Sequence, residues 1–115
     1  MKAEDLEKYR TDFEIIRETA NQLLKDFSLA GFEVEFSGNE LMAYDELKSQ
    51  ITPILWDLFQ NHPEQFQNLL YRIDINEKQL METLKLIDPL KISGALSDLI
   101  LQREFQKVIM RRFFS

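Results

Sequence analysis

The chain has 115 residues, of which 44% are apolar, 30% charged and 11% aromatic, with three glycines and three prolines. That composition supports one self-sufficient domain over 1–115 burying about two-thirds of its surface, and argues against disorder, a collagen-like repeat or a loop-rich sandwich. Without cysteine there is no disulfide framework, thiolate metal site or cysteine nucleophile, and a net charge of −6 argues against a general nucleic-acid binder.

The excess acid lies entirely in residues 1–50, which hold 12 acids against 6 bases, while residues 51–115 hold 8 of each. No run approaches the roughly 20 apolar residues that span a bilayer, and residues 1–10 are too charged for a secretory signal. A cytoplasmic protein is the expectation.

In chain order, Leu6, Tyr9, Phe13, Ile16, Ala20, Leu23, Phe27 and Ala30 alternate spacings of three and four. This heptad seam predicts a long first helix, ended by Gly31. Ile15 and Leu24 widen the stripe as a bundle helix requires, with contact to a second copy as the competing use of the seam. Phe32-Glu33-Val34-Glu35-Phe36 alternates as a short strand does. Two continuations compete: a hairpin folding back through Gly38-Asn39 to Tyr44, or a helix start near Gly38, with Ser37 and Glu40 as capping box and Phe36 and Leu41 as hydrophobic staple.

Leu47, Ile51, Ile54, Leu55, Leu58 and Phe59 continue at helical spacing. Pro53 predicts either a kink or a new helix capped by Thr52. Asn61 with Glu64, then Asn76 with Gln79, mark two further starts. The first helix of these carries Phe66, Leu69, Leu70 and Ile73; the second carries Leu80, Met81, Leu84 and Ile87, with Asp88-Pro89 as its stop. A last helix is expected from about Ala95. Its Leu96, Leu99 and Ile100 project with the basic side, whereas Leu101, Phe105, Val108, Ile109 and Phe113 form the opposite arc. The buried face therefore changes along the helix, and either the bundle wraps it from two sides or a second subunit covers one side. The fold class expected is all-α, a compact bundle of five or six helices with room for one short β-strand or hairpin at 32–44.

Chemistry is sparse. His62 is the one histidine and lacks the Glu-x-x-His, His-Glu-x-x-His or Gly-x-Ser-x-Gly company that metal or serine chemistry needs. Asp45, Glu46 and Asp57, or Glu33 and Glu35, could serve as paired acids or hold magnesium, but solvated helix faces produce such pairs by chance. The glycines at 31, 38 and 94 are isolated and make no phosphate loop. No catalytic residue, cofactor or metal site is assigned.

Two clusters of charge stand out. Arg72 and Asp74 interrupt an apolar stretch, either completing helix ends or offering Arg72 to a partner carboxylate. Arg103, Lys107 and Arg111 fall at i, i+4 and i+8, a basic stripe that meets water, the acidic first helix or a partner. These five are the candidate partner-binding residues. The leading expectation is a non-catalytic acidic helical interaction module or regulator with a protein partner, and a homodimer is also expected. The alternatives are a ligand-binding or carboxylate-based enzyme domain with its site inside the bundle, and membrane or nucleic-acid attachment through the basic last helix.

Overall fold

A computed structural model describes residues 7–86 and 88–114. Among these, five α-helices and a 3-10 turn form the all-α architecture: α1 (Phe13–Leu29), the turn Glu40–Met42, α2 (Ala43–Asn61), α3 (Pro63–Ile73), α4 (Glu77–Leu84) and α5 (Pro89–Phe113).

The first helix starts later than its heptad seam suggests, because Asp12 adopts an extended backbone and its carboxylate accepts from the amides of Glu14 and Ile15. That satisfies two of the donors a helix start leaves free. Leu6 lies outside the described residues, and Tyr9 stacks on Phe113, ring centroids 5.0 Å apart. The end of α1 falls at the glycine: Gly31 takes φ 95°, its amide donates to Ser28 and the Phe32 amide to Phe27 at 2.8 Å. These paired bonds make a Schellman motif.

The hairpin reading of 32–44 is not realised, since no described residue belongs to a strand. Val34 does turn inward while Glu33 and Glu35 face water, as the alternation implied. In place of a second strand, the side-chain amide of Gln50 accepts from the Glu35 amide at 2.9 Å and donates to its carbonyl at 2.7 Å. One side chain thus satisfies backbone groups that would otherwise need a ladder. Helix entry near Gly38 holds, but Asn39 is the cap, accepting from Leu41. The Ser37–Glu40 box does not form; Ser37 bonds Glu46 and Glu40 bonds Arg17.

Pro53 neither ends α2 nor starts a new helix; the helix runs through it. Thr52, the alternative cap, donates to the Lys48 carbonyl and meets the Ser97 hydroxyl at 2.7 Å, tying α2 to α5. At the next junction His62, not Asn61, occupies the cap position, and Pro63 fills the first turn of α3. Asn76 caps α4 as expected, accepting from Gln79 at 3.1 Å.

Asp88-Pro89 is a start and not the stop expected of it. Asp88 accepts from the Leu90 amide at 3.0 Å, and Pro89 occupies the first turn of α5, where its missing N–H costs nothing. The last helix therefore includes Gly94 and is 25 residues long. Ile87 lies outside the described residues.

This long α5 is the axis of the fold, packed by α1, α2, α3 and α4. Its Ile92, Leu96, Ile100 and Leu101 join Leu23 and Phe27 of α1, Leu47 to Leu58 of α2, and Phe66 to Ile73 of α3 in the main core. Val108 and Ile109 pack with Ile15 in a smaller cluster toward its end. The change of buried face along α5 is thus met inside the chain, from two sides.

Candidate functional site

Two features lie along the junction of α1 and α5: a charged seam on one side and an open cleft on the other. The seam arises from i, i+4 spacing on both helices, which places side chains in rows. Glu14, Glu18, Gln22 and Asp26 form the row on α1. Arg112 meets Glu14 at 3.3 Å and Glu18 at 3.0 Å, Arg111 donates to Gln22 at 3.0 Å, and Lys107 reaches Asp26 at 2.9 Å. Two members of the basic stripe, Lys107 and Arg111, are directed onto the acidic first helix, one of the three destinations its spacing allowed.

The seam closes on a buried cluster. Glu104 is wholly inaccessible to solvent, and Asp26 nearly so. The Lys107 ammonium lies 2.7 Å from Glu104 Oε1 as well as 2.9 Å from Asp26 Oδ2, so two carboxyl groups share one cation. Burial, then the facing Asp26, pushes the Glu104 carboxyl up to about 8 against the weaker pull of Lys107. Asp26 is itself held below the ordinary carboxylate range: burial raises it, but hydrogen bonds with Glu104, Lys107 and Gln22 and the Lys107 charge outweigh that. Burial disfavours the Lys107 charge, yet the two acids raise its pKa overall.

The other candidate positions lie further along. Arg103 donates to both the carbonyl and the carboxylate of Asp74 at 2.8 Å, fastening the left-handed residue (φ 65°) that ends α3. Arg72 is exposed and has no ion pair among the described residues. The structure thus joins Asp74 with Arg103 and Lys107 with Asp26, and leaves Arg72 apart. The acids considered for catalysis do not converge: Glu46 holds Ser37, Asp57 accepts from Asn61 with His62 at 3.7 Å, and Glu33 and Glu35 sit on the outer side of the extended segment. No described group of three His, Asp or Glu side chains is placed to hold a metal ion.

The cleft, of about 570 Å³, has Phe13, Ile16, Thr19 and Ala20 of α1 on one wall and Leu101, Gln102 and Phe105 of α5 on the other. The 3-10 turn and the start of α2 close it with Leu41, Tyr44 and Leu47. Leu41 is 80% exposed, and Phe13, Met42 and Tyr44 are each about half exposed. On the rim the Tyr44 hydroxyl donates to Asp98, which also pairs with Lys48 at 2.9 Å. Burial first, then Asp98, pushes the Tyr44 phenol up to about 12, so it stays a donor at neutral pH. Across the mouth Arg17 meets Glu40 at 2.7 Å, a contact that holds Glu40 below the usual range.

Sequence spacing did not point to this cleft, because its walls come from three separated segments. It did contain a sign of the buried acid: Glu104 stands four residues from both Ile100 and Val108, on a line that is otherwise apolar. Asp26, by contrast, reads as water-facing from its neighbours, and its burial is set by α5. No described helix is long and apolar enough to cross a membrane. No protein-family model matches the chain, and no curated protein or solved structure matches it.

Proposed function

We propose that this protein is a non-catalytic interaction module whose working surface is the α1–α2–α5 cleft, and that its partner presents a basic amphipathic helix. The observation that carries the reading is that three exposed large apolar side chains, Phe13, Leu41 and Tyr44, line one groove with an apolar floor. A helix docks in such a groove through side chains at i, i+3 or i+4, and i+7. The sign of the partner's charge follows from placement. Most of the cleft is built from the acid-rich first half of the chain. Of the charged groups that line it, Arg10 is engaged by Glu7, Glu40 by Arg17 and Asp98 by Lys48, while Asp45, next to the lining Tyr44, has no ion partner among the described residues.

The test is titration of the labelled protein with a Leu/Lys amphipathic peptide of about four turns, followed by fluorescence anisotropy. Saturable binding is expected, weakened at least about tenfold, roughly 1.4 kcal/mol, by Leu41→Asp or Phe13→Asp. Leu90→Asp, outside the cleft, is expected to leave it unchanged. Absence of saturation, or equal losses from all three variants, would count against this surface. A second reading, a site for a small amphipathic molecule, draws on the cleft volume, which falls in the range of small-ligand sites; saturation by decanoate or decylamine with no response to the peptide would favour it.

A further inference from the structure

An acid with no access to water is costly when ionised, and Glu104 is such a group, wholly buried with the Lys107 ammonium at 2.7 Å as its one described cationic neighbour. It sits opposite a second carboxylate with only one ammonium between them. The charged surroundings are few: Asp26 from α1, Lys107 from its own helix, then Arg103 turned toward Asp74 at the end of α3, and Arg111 against Gln22. None of the described ion pairs connects a charged group of α2 or α4 to it. With a proton on Glu104 the site holds one negative and one positive charge, and the carboxyl can donate to Asp26. Without that proton it holds two negative charges against one positive, across the contact between α1 and α5.

The geometry points to a proton-dependent latch: a proton held between Glu104 and Asp26 fastens α1 to α5, and its release to solvent in mildly alkaline conditions loosens that seam. Leu101 and Phe105, which flank Glu104 on α5, line the cleft, so the looser seam also widens the groove. The latch does not depend on what the cleft binds. Its pH window follows from the direction of the shift. Glu104 is raised from an ordinary 4.5 to about 8, so between those values the folded chain keeps a proton that the unfolded chain has lost. Stability therefore falls as pH rises through the window, and the whole cost is present above about 8.

Two measurements on the full chain test it. Carbon-detected NMR of the side-chain carboxyls should find one glutamate titrating near pH 8 and absent from Glu104→Gln. Thermal unfolding of the wild type should drop by on the order of 5 °C per pH unit between pH 6 and 8, relative to Glu104→Gln, which keeps a donor toward Asp26 without a titrating proton. Methyl shifts of Leu101 and Ile16 should follow the same midpoint. A Glu104 that titrates with the exposed glutamates, or identical pH slopes in the two proteins, would overturn the latch. If Glu104→Gln does not fold, the wild-type titration midpoint decides by itself.

Discussion

Replacing Lys107 by methionine is expected to destabilise the protein by about 3–5 kcal/mol at pH 7, the usual cost of removing one member of a buried ion cluster. A chain of this length has roughly 6–17 kcal/mol in total. The reason lies in what remains. The Lys107 ammonium is the one described cation in contact with both Asp26 and Glu104. Without it Asp26 retains only neutral partners, the Gln22 amide at 3.2 Å and the facing Glu104 carboxyl, in a place that water hardly reaches. Most of the loss is the penalty for an uncompensated charge, so it should be recovered when the charges go together. A triple variant with Asp26→Leu, Glu104→Leu and Lys107→Met is expected to be as stable as the wild type or more so. Urea unfolding at pH 7 measures both. A loss below about 1 kcal/mol for Lys107→Met would mean that water screens the cluster.

Truncation of Phe27 to alanine is expected to cost a comparable 3–5 kcal/mol, through lost burial and the cavity left behind. Phe27 is wholly buried in the main core, and its carbonyl accepts the Phe32 amide that closes α1. The cavity would open where α1 meets the rest of that core, so the extended stretch carrying Val34 should lose protection along with the helix. Leu90→Ala provides the contrast. Leu90 is 84% exposed, and its truncation is expected to change stability by no more than about 0.5 kcal/mol. Urea midpoints at constant slope, with amide exchange of residues 32–37, check the pair; equal effects at the two sites would show that the core is misplaced.

The helical architecture was legible because it rests on periodicity, and periodicity is local. The stripes at Leu47 to Phe59 and at Phe66 to Ile73, and the Asn76 cap, appear in the fold as read. The misreadings have a common physical origin in signals that are valid in two contexts. Asp88-Pro89 can close one helix or open the next, and only the packing of Ile92 against the core decides that α5 begins there. Pro53 removes a donor, yet α2 is held by Thr52 against Ser97 from α5, a contact 45 residues away. The extended segment at 32–37 looked like half of a hairpin because its partner is a single glutamine on α2, which no alternation pattern reveals.

The charged stripe of α5 was visible as Arg103, Lys107 and Arg111, and its destination was not. What directs Lys107 and Arg111 inward is the matching row on α1, and what directs Arg103 is Asp74 at the end of α3, both tertiary facts. The consequence is functional. With those bases engaged by Asp74, Asp26, Glu104 and Gln22, the exposed apolar rim of the cleft is the surface that best fits a partner.

The most direct measurement of that claim is amide chemical-shift mapping of the nitrogen-15-labelled protein during titration with the basic amphipathic peptide at pH 6.5, where the seam is closed. The expected result is a set of concentration-dependent shifts gathered on Phe13, Ile16, Leu41, Tyr44, Leu101 and Phe105. Shifts centred instead on Glu33 and Glu35, or on a second hollow lined by Pro53 and Trp56 of α2 and Pro89 and Leu90 of α5, would contradict it.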